Sequence, residues 1–454
     1  MPSAASARRD KWTALQKSFR DRWGFLRVEL RAEKWAIPVP ATALSRRSLD
    51  ILKKGAMQLR GMDGNVITVL TAATLLTPLT QIDQPQVIVE DGVIASIASR
   101  GALEVPQDAR NLDFPAETLA PVYFDVHMHG AMGHDVMAGT DEAFDAIGKF
   151  LPGRGVGAYL PTTVTAPVDA TLRSLEAIAR QIERANGSSH YTGARPLGIH
   201  LEGPFLSHGK RGVHPPEFLQ EPAVELLGRF WEASAGRIVL MTLAPELPGA
   251  VELIREAVRL GIRVSLGHSN AGTAEALDGI SAGAISATHT FNAMRALNHR
   301  EPGLLGVVLD DPCLFAELIC DGIHVDPLLV RLFYRAKGPD HGILVTDATA
   351  ATGMPDGVYK LGDIDVTVSD GRCTFEGKLA GSVLTMDRAV RNFMEFTHTP
   401  LSAAVRYAAT NPAAMAGVAA AWGELSPGRA ANLAVLSPAG EVRATILNGE
   451  VFPA

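Results

Sequence analysis

Six side chains able to bind a divalent cation each follow a short apolar run. His127 and His129 follow Val122-Tyr123-Phe124, Glu202 follows Leu197-Gly198-Ile199, His268 follows Val264-Ser265-Leu266, His289 follows Ala284-Ile285, and Asp347 follows Ile343-Leu344-Val345. Strand side chains alternate between faces, so His127 and His129 share one face, as do His200 and Glu202. Neutral imidazoles and carboxylates suit zinc or another first-row divalent ion, and a catalytic site keeps one coordination position open for water. A lone histidine at such a position is ordinarily a hydrogen-bonded residue. Recurrence of ligand types at one kind of position is the signal that points to metal chemistry.

Elements that could gather these residues can be counted along the chain. Strand-like runs end near His129, Thr163, Glu202, Glu246, His268, His289, Asp321 and Asp347, and helical stretches such as Asp169–Ala185, Ala250–Leu260 and Ala271–Ala282 separate several of them. Strands alternating with helices pair in parallel, and eight such units imply a closed (β/α)8 TIM-like barrel whose strand ends meet at one mouth. A doubly wound open sheet would need a phosphate-binding glycine fingerprint opening a helix. The stretch Gly153-Arg154-Gly155-Val156-Gly157 instead precedes a strand and reads as a loop. Residues 66–70, 86–90 and 93–97 read as strands with a hairpin at Asp91-Gly92, and 432–436 and 442–447 as strands with a turn at Asn448-Gly449. The two ends are therefore expected to build one small β-sandwich domain. The expected division is a basic extension at 1–60, the first part of the β domain at 61–120, the barrel at 121–360, and barrel completion with the rest of the β domain at 361–454.

At 454 residues, 47% hydrophobic and 20% charged, the chain can bury a large core. No apolar run approaches a bilayer span and no secretory apolar block stands at the start, so a cytoplasmic enzyme without membrane contact is expected. Cys313, Cys320 and Cys373 form no CxxC pair, which speaks against a thiolate metal site or a disulfide framework. The net charge of −7 argues against nucleic-acid binding. Residues 1–60 differ, with 14 Lys/Arg against 5 Asp/Glu. There Trp12, Leu15, Phe19, Trp23, Leu26 and Leu30 fall at helical spacing, so a basic amphipathic helix over about 10–34 is expected. It would pack on the body or a partner, meet an anionic membrane surface, or be sequence upstream of the true start at Met57 or Met62.

The strand ends and their loops read Phe124-Asp125-Val126-His127-Met128-His129-Gly130, His200-Leu201-Glu202-Gly203-Pro204-Phe205, Gly267-His268-Ser269, Thr288-His289-Thr290-Phe291-Asn292-Ala293-Met294, Asp321-Gly322-Ile323-His324-Val325 and Val345-Thr346-Asp347-Ala348. With Arg300-Glu301-Pro302-Gly303, Leu379-Ala380-Gly381-Ser382 and Asn411-Pro412-Ala413, this resembles the N-acetylglucosamine-6-phosphate deacetylase family of the amidohydrolase superfamily, in order and spacing from about residue 65 onward. The resemblance implies Glu202, His268 and His289 as principal metal ligands, His127 and His129 as a second metal position, and one or two ions per subunit, zinc first, with iron or another first-row metal as alternatives. It implies Asp347 as proton shuttle, His214 as the group holding the acetyl carbonyl, and His324, Asn292, Ala293, Leu379, Ala380 and Gly381 as substrate contacts. It also implies a homodimer in which Arg300 reaches the phosphate in the neighbouring site.

The implied reaction is hydrolysis of the acetamide of N-acetylglucosamine 6-phosphate, giving glucosamine 6-phosphate and acetate, in amino-sugar catabolism or recycling. The stretch Ala296-Leu297-Asn298-His299 departs from the family pattern, which leaves N-acetylgalactosamine 6-phosphate as an alternative substrate. Another metal amidohydrolase, aminoacylase-like or dihydroorotase-like, and a non-catalytic barrel are the rival functions.

Overall fold

Eight short parallel strands carry the molecule: Tyr123–Met128, Val156–Thr163, Ile199–Glu202, Ile238–Leu243, Arg263–Leu266, Ser286–Ala287, Phe315–Ile319 and Gly342–Val345. They pair in chain order. The ring closes where Asp347 N–H donates to His127 O at 2.9 Å and His129 N–H to Ala348 O at 2.7 Å. The barrel expected from the strand and helix alternation is therefore present. The computed structural model describes residues 66–78, 80–187 and 191–454, all within one compact unit, Asn65–Ala454. The helix expected over about 10–34 lies outside the described residues.

Outer helices form where apolar residues recur at helical spacing. In Val168–Gly187 the buried residues Thr171, Leu175, Ile178, Ile182 and Ala185 fall on one face, against the barrel. Helix starts are marked in the sequence. Thr140 caps Asp141–Phe150 through a hydrogen bond from Ala143 N–H at 3.2 Å, and Asp326 caps Pro327–His341 with proline in the first turn. No helix among the described residues is long and apolar enough to cross a membrane.

Gly342 opens the eighth strand because no larger residue fits: a Cβ there would lie 1.9 Å from the Tyr407 ring. The buried Asn411 side chain ties the same point down by donating to Gly342 O at 2.8 Å and Pro339 O at 3.0 Å. This gives the Asn411-Pro412-Ala413 motif its physical role.

Both ends of the described chain meet in one further sheet, in which Leu433–Leu436, Val442–Leu447 and Glu450–Pro453 continue from Arg110–Pro121 and Ile67–Leu76. Its hairpins use the anticipated turns. Asp91 and Gly92 have φ of 49° and 78°, and Asn448 and Gly449 of 50° and 85°, the left-handed pair that a two-residue hairpin requires. One edge bonds back to the segment before Leu433, with Ile94 N–H to Arg429 O at 2.8 Å. The sheet thus folds over its own core of Leu70, Val87, Ile94, Leu119, Leu433 and Ile446.

One element was not anticipated. Gly357–Leu361, Ile364–Ser369, Arg372–Phe375 and Lys378–Leu379 form a separate antiparallel sheet. Its core residues Leu361, Val366, Val368 and Cys373 pack with Val164 and Val213 from barrel loops, which sets one of its turns beside the mouth.

Candidate metal centre

Where the strands end, the backbone turns sharply. Strands five, six and eight stop at Leu266, Ala287 and Val345, and the next residue but one in each case is His268, His289 or Asp347. These three carry φ of 48°, 26° and 50°, a left-handed backbone that non-glycine residues seldom adopt. The turn swings each side chain over the barrel axis, where all three are buried.

Glu202, the last residue of the third strand, stands at the centre. Its Oε1 lies 3.2 Å from His268 Nε2, 3.2 Å from His289 Nε2 and 3.5 Å from His127 Nε2. Its Oε2 lies 3.4 Å from His129 Nε2 and 3.7 Å from His214 Nε2. Asp347 Oδ1 completes a second corner, 3.1 Å from His129 Nε2 and 3.5 Å from His127 Nε2.

The donor set fits a divalent ion. Ligands about 2.0–2.1 Å from a tetrahedral ion stand about 3.4 Å apart, close to the spacings around Glu202. The tautomers agree. Nδ1–H of His129 donates to Thr162 O at 2.9 Å, that of His268 to Lys210 O at 2.9 Å, and that of His127 to Glu317 Oε2 at 3.0 Å. In each of these rings Nδ1 is taken, so Nε2 is the nitrogen turned toward the centre, as in metal ligands. His127 Nε2 is fully buried and meets no hydrogen-bond partner among the described residues. No Lys or Arg pairs with Glu202 or Asp347 among the described residues, so a bound cation would balance their charge.

His214 differs from these rings. Its Nδ1 accepts the Thr165 N–H at 3.2 Å, so its own proton sits on Nε2, aimed at the centre. Burial pushes its pKa down to about 3 and keeps the ring neutral. His214 is thus built as a hydrogen-bond donor rather than a ligand, although its ring reaches the Glu202 and His268 ligand atoms. Asp347 is buried, which favours its neutral form, but the charges of His127 and His129 outweigh this and hold it down to about 2.

The centre opens into a cavity of about 200 Å³. His324 lines it, with Nδ1–H donating to Asp321 Oδ2 at 2.7 Å and the other ring nitrogen left for a ligand. Asn292, Ala293, Leu379 and Gly381 line it too, whereas Ala380 is buried in the core of the four-stranded sheet. Arg300 is exposed and does not line the cavity, nor does any other Lys or Arg among the described residues.

Several site residues were not singled out from the sequence. Leu361, Asp363 and Ile364 reach the cavity from the four-stranded sheet. Glu317 lies beneath His127 and His289, and its only advance signal is a carboxylate inside the apolar run Phe315-Ala316-Glu317-Leu318-Ile319. Asp125 accepts bonds from His127 N–H and Thr346 N–H at the barrel seam, and burial pushes it up to about 6. His200, by contrast, was placed on one face with Glu202 from the sequence, and it is engaged with Val126 O at 3.1 Å and Thr242 Oγ1 at 2.8 Å.

The sequence profile of the amidohydrolase family matches residues 118–452. The chain is 37% identical over 384 residues to the N-acetylgalactosamine-6-phosphate deacetylase of Escherichia coli O157:H7, covering 84% of this chain and 98% of that protein. It is 36% identical over 368 residues to the N-acetylglucosamine-6-phosphate deacetylase of Bacillus subtilis (strain 168), covering 80% and 91%. Among solved structures, a variant of the N-acetyl-D-glucosamine-6-phosphate deacetylase of Mycobacterium smegmatis, in complex with N-acetyl-D-glucosamine-6-phosphate, superposes with a TM-score of 0.79 at 33% identity, over 86% of this chain and 100% of that one.

Proposed function

The chain belongs to the amidohydrolase family, a family of metal-dependent enzymes, and from that premise we propose that it hydrolyses the acetamide of N-acetylglucosamine 6-phosphate to glucosamine 6-phosphate and acetate. The observation that carries this is the convergence of four imidazoles on Glu202 beside the neutral donor His214, at the mouth of a barrel shared with deacetylases of phosphorylated amino sugars. Relatives named for the glucosamine compound, from Bacillus to mammals, favour it over the galactosamine isomer.

Amide hydrolysis needs an activated water, a polarised carbonyl and a proton for the departing amine. Glu202, His268 and His289 would hold one ion, and His127 and His129, with Asp347 beside them, a second. Zinc is the proposed metal. A bound ion lowers the pKa of its water to about 7 and polarises the acetyl carbonyl. Asp347 takes the proton of the attacking water and passes it to the leaving nitrogen. His214 Nε2–H donates to the carbonyl oxygen as negative charge develops there. His324 orients the sugar.

The phosphate has Asn292 and the Ala293 N–H within the chain, but among the described residues no cation of the same chain stands in the cavity wall. We therefore place Arg300 in the neighbouring copy of a homodimer, where its guanidinium forks onto the phosphate oxygens. Metal-loaded protein should release acetate from N-acetylglucosamine 6-phosphate faster than from the galactosamine isomer or from unphosphorylated N-acetylglucosamine. Preference for a cyclic amide or an N-acyl amino acid would overturn the assignment.

A further inference from the structure

Of the three histidines whose Nδ1–H is held from below, two rest on neutral carbonyls, Thr162 O and Lys210 O. His127 alone rests on a carboxylate, Glu317 Oε2, at 3.0 Å. Glu317 lies mid-strand in Phe315–Ile319 and is completely buried. It shares a strand face with Ile319, which lines the cavity, so its side chain points into the barrel one layer below the centre.

The same Oε2 accepts His289 N–H at 3.2 Å, and Oε1 meets no donor among the described residues. No Lys or Arg pairs with it there, and its one ion pair is with His127. A glutamine would satisfy the same two donors without a charge. A buried carboxylate is therefore present at a place where hydrogen bonding alone does not demand one, and burying that charge is costly unless a positive charge answers it. Through the imidazole the answer falls at His127 Nε2, which is fully buried, unpartnered among the described residues, and 3.5 Å from both Glu202 Oε1 and Asp347 Oδ1.

We propose that Glu317 is the positioning residue that commits His127 to metal binding, and so fills the His127/His129 position with a second ion. The carboxylate fixes the Nδ1–H tautomer and makes Nε2 a stronger electron-pair donor than a ring resting on a carbonyl. Its negative charge also lets two divalent ions share a site with Glu202 and Asp347. By bonding His289 N–H as well, Glu317 couples the second position to the backbone of a ligand of the first. The inference rests on the metal-centre reading but not on the identity of the substrate.

The test uses full-length protein stripped of metal and titrated with Zn²⁺ against a chromophoric chelator. Wild type should take up two ions per chain. Glu317→Gln, which keeps an acceptor for His127 Nδ1–H, should bind one of them about 10–100-fold more weakly and leave the other unchanged. The rise in its Tm on adding Zn²⁺ should be smaller than in wild type. In a His127→Asn background, Glu317→Gln should add no further loss.

Unchanged affinities with a lower metal-free Tm would show a merely structural carboxylate and overturn the proposal. So would a wild-type chain that saturates with one ion, or an undiminished Glu317→Gln effect without His127. Should Glu317→Gln not fold, Glu317→Asp, which withdraws the carboxylate from His127, is expected to show the same loss, and normal two-ion binding in it would refute the role. Because no substrate enters these measurements, normal metal binding without deacetylation would defeat the proposed function alone.

Discussion

Replacing His214 with alanine separates two roles that its position alone leaves open. Its ring reaches the ligand atoms of Glu202 and His268, with Nε2 3.7 Å from Glu202 Oε2, as that of an extra ligand would. The Thr165 N–H on its Nδ1 decides otherwise, because it leaves the imidazole proton on the nitrogen facing the centre. A donor aimed at a developing oxyanion contributes about 3 kcal/mol, or roughly 100–1,000-fold in kcat, whereas a lost ligand would empty the metal position. Burial pushes His214 down to about 3, so it stays neutral and adds no limb to the pH profile between about pH 5 and 9. The assay is acetate release under saturating substrate, with metal content measured on the same sample. His214→Ala should retain its metal and lose kcat by the stated factor, with little change in KM. Loss of bound metal, or a kcat within tenfold of wild type, would refute the donor role.

Asp347→Asn keeps size and hydrogen bonding but cannot carry a proton, so kcat should fall by roughly 100–10,000-fold while the ion at Glu202, His268 and His289 stays bound, checked by turnover and elemental analysis. Arg300→Ala should raise KM for phosphorylated substrate and leave an unphosphorylated analogue unaffected; equal losses on both would remove it from phosphate binding. In the metal-free protein, burial works against protonated His129, but Asp347 and Glu202 outweigh it and push its pKa up to about 9. The ring therefore holds a proton at neutral pH that metal must displace. Zn²⁺ added to stripped protein in weak buffer at about pH 7 should release protons, and affinity should climb with pH until about 9. Gly342→Ala, with its Cβ 1.9 Å from Tyr407, should lower stability by about 1–3 kcal/mol in a denaturant titration without altering metal affinity.

The candidate ligands were legible because a barrel places functional groups at one kind of position, the strand end, and that position repeats along the chain. His268, His289 and Asp347 each fall two residues past a strand, so a local apolar run sufficed to locate them. Glu317 escaped because its proposed role rests on a contact with His127, 190 residues away in the chain, and within its own strand it is a single charged residue. The sheet at 357–379 escaped for a different reason. Its strands are two to six residues long and expose alternate side chains, a pattern that does not tell a mouth-side insertion from the edge of the terminal β domain. Leu361, Asp363 and Ile364 reach the cavity only through that packing. A role that depends on a second copy of the chain, as proposed for Arg300, leaves no trace in local spacing.

Acetate release from N-acetylglucosamine 6-phosphate by protein whose metal has been removed and restored bears most directly on the metal-dependent deacetylase reading. Stripped protein should be inactive, and Zn²⁺ should restore formation of acetate and free amine in equal amounts. Undiminished turnover after complete metal removal, or no turnover of this compound by fully loaded protein, would contradict it.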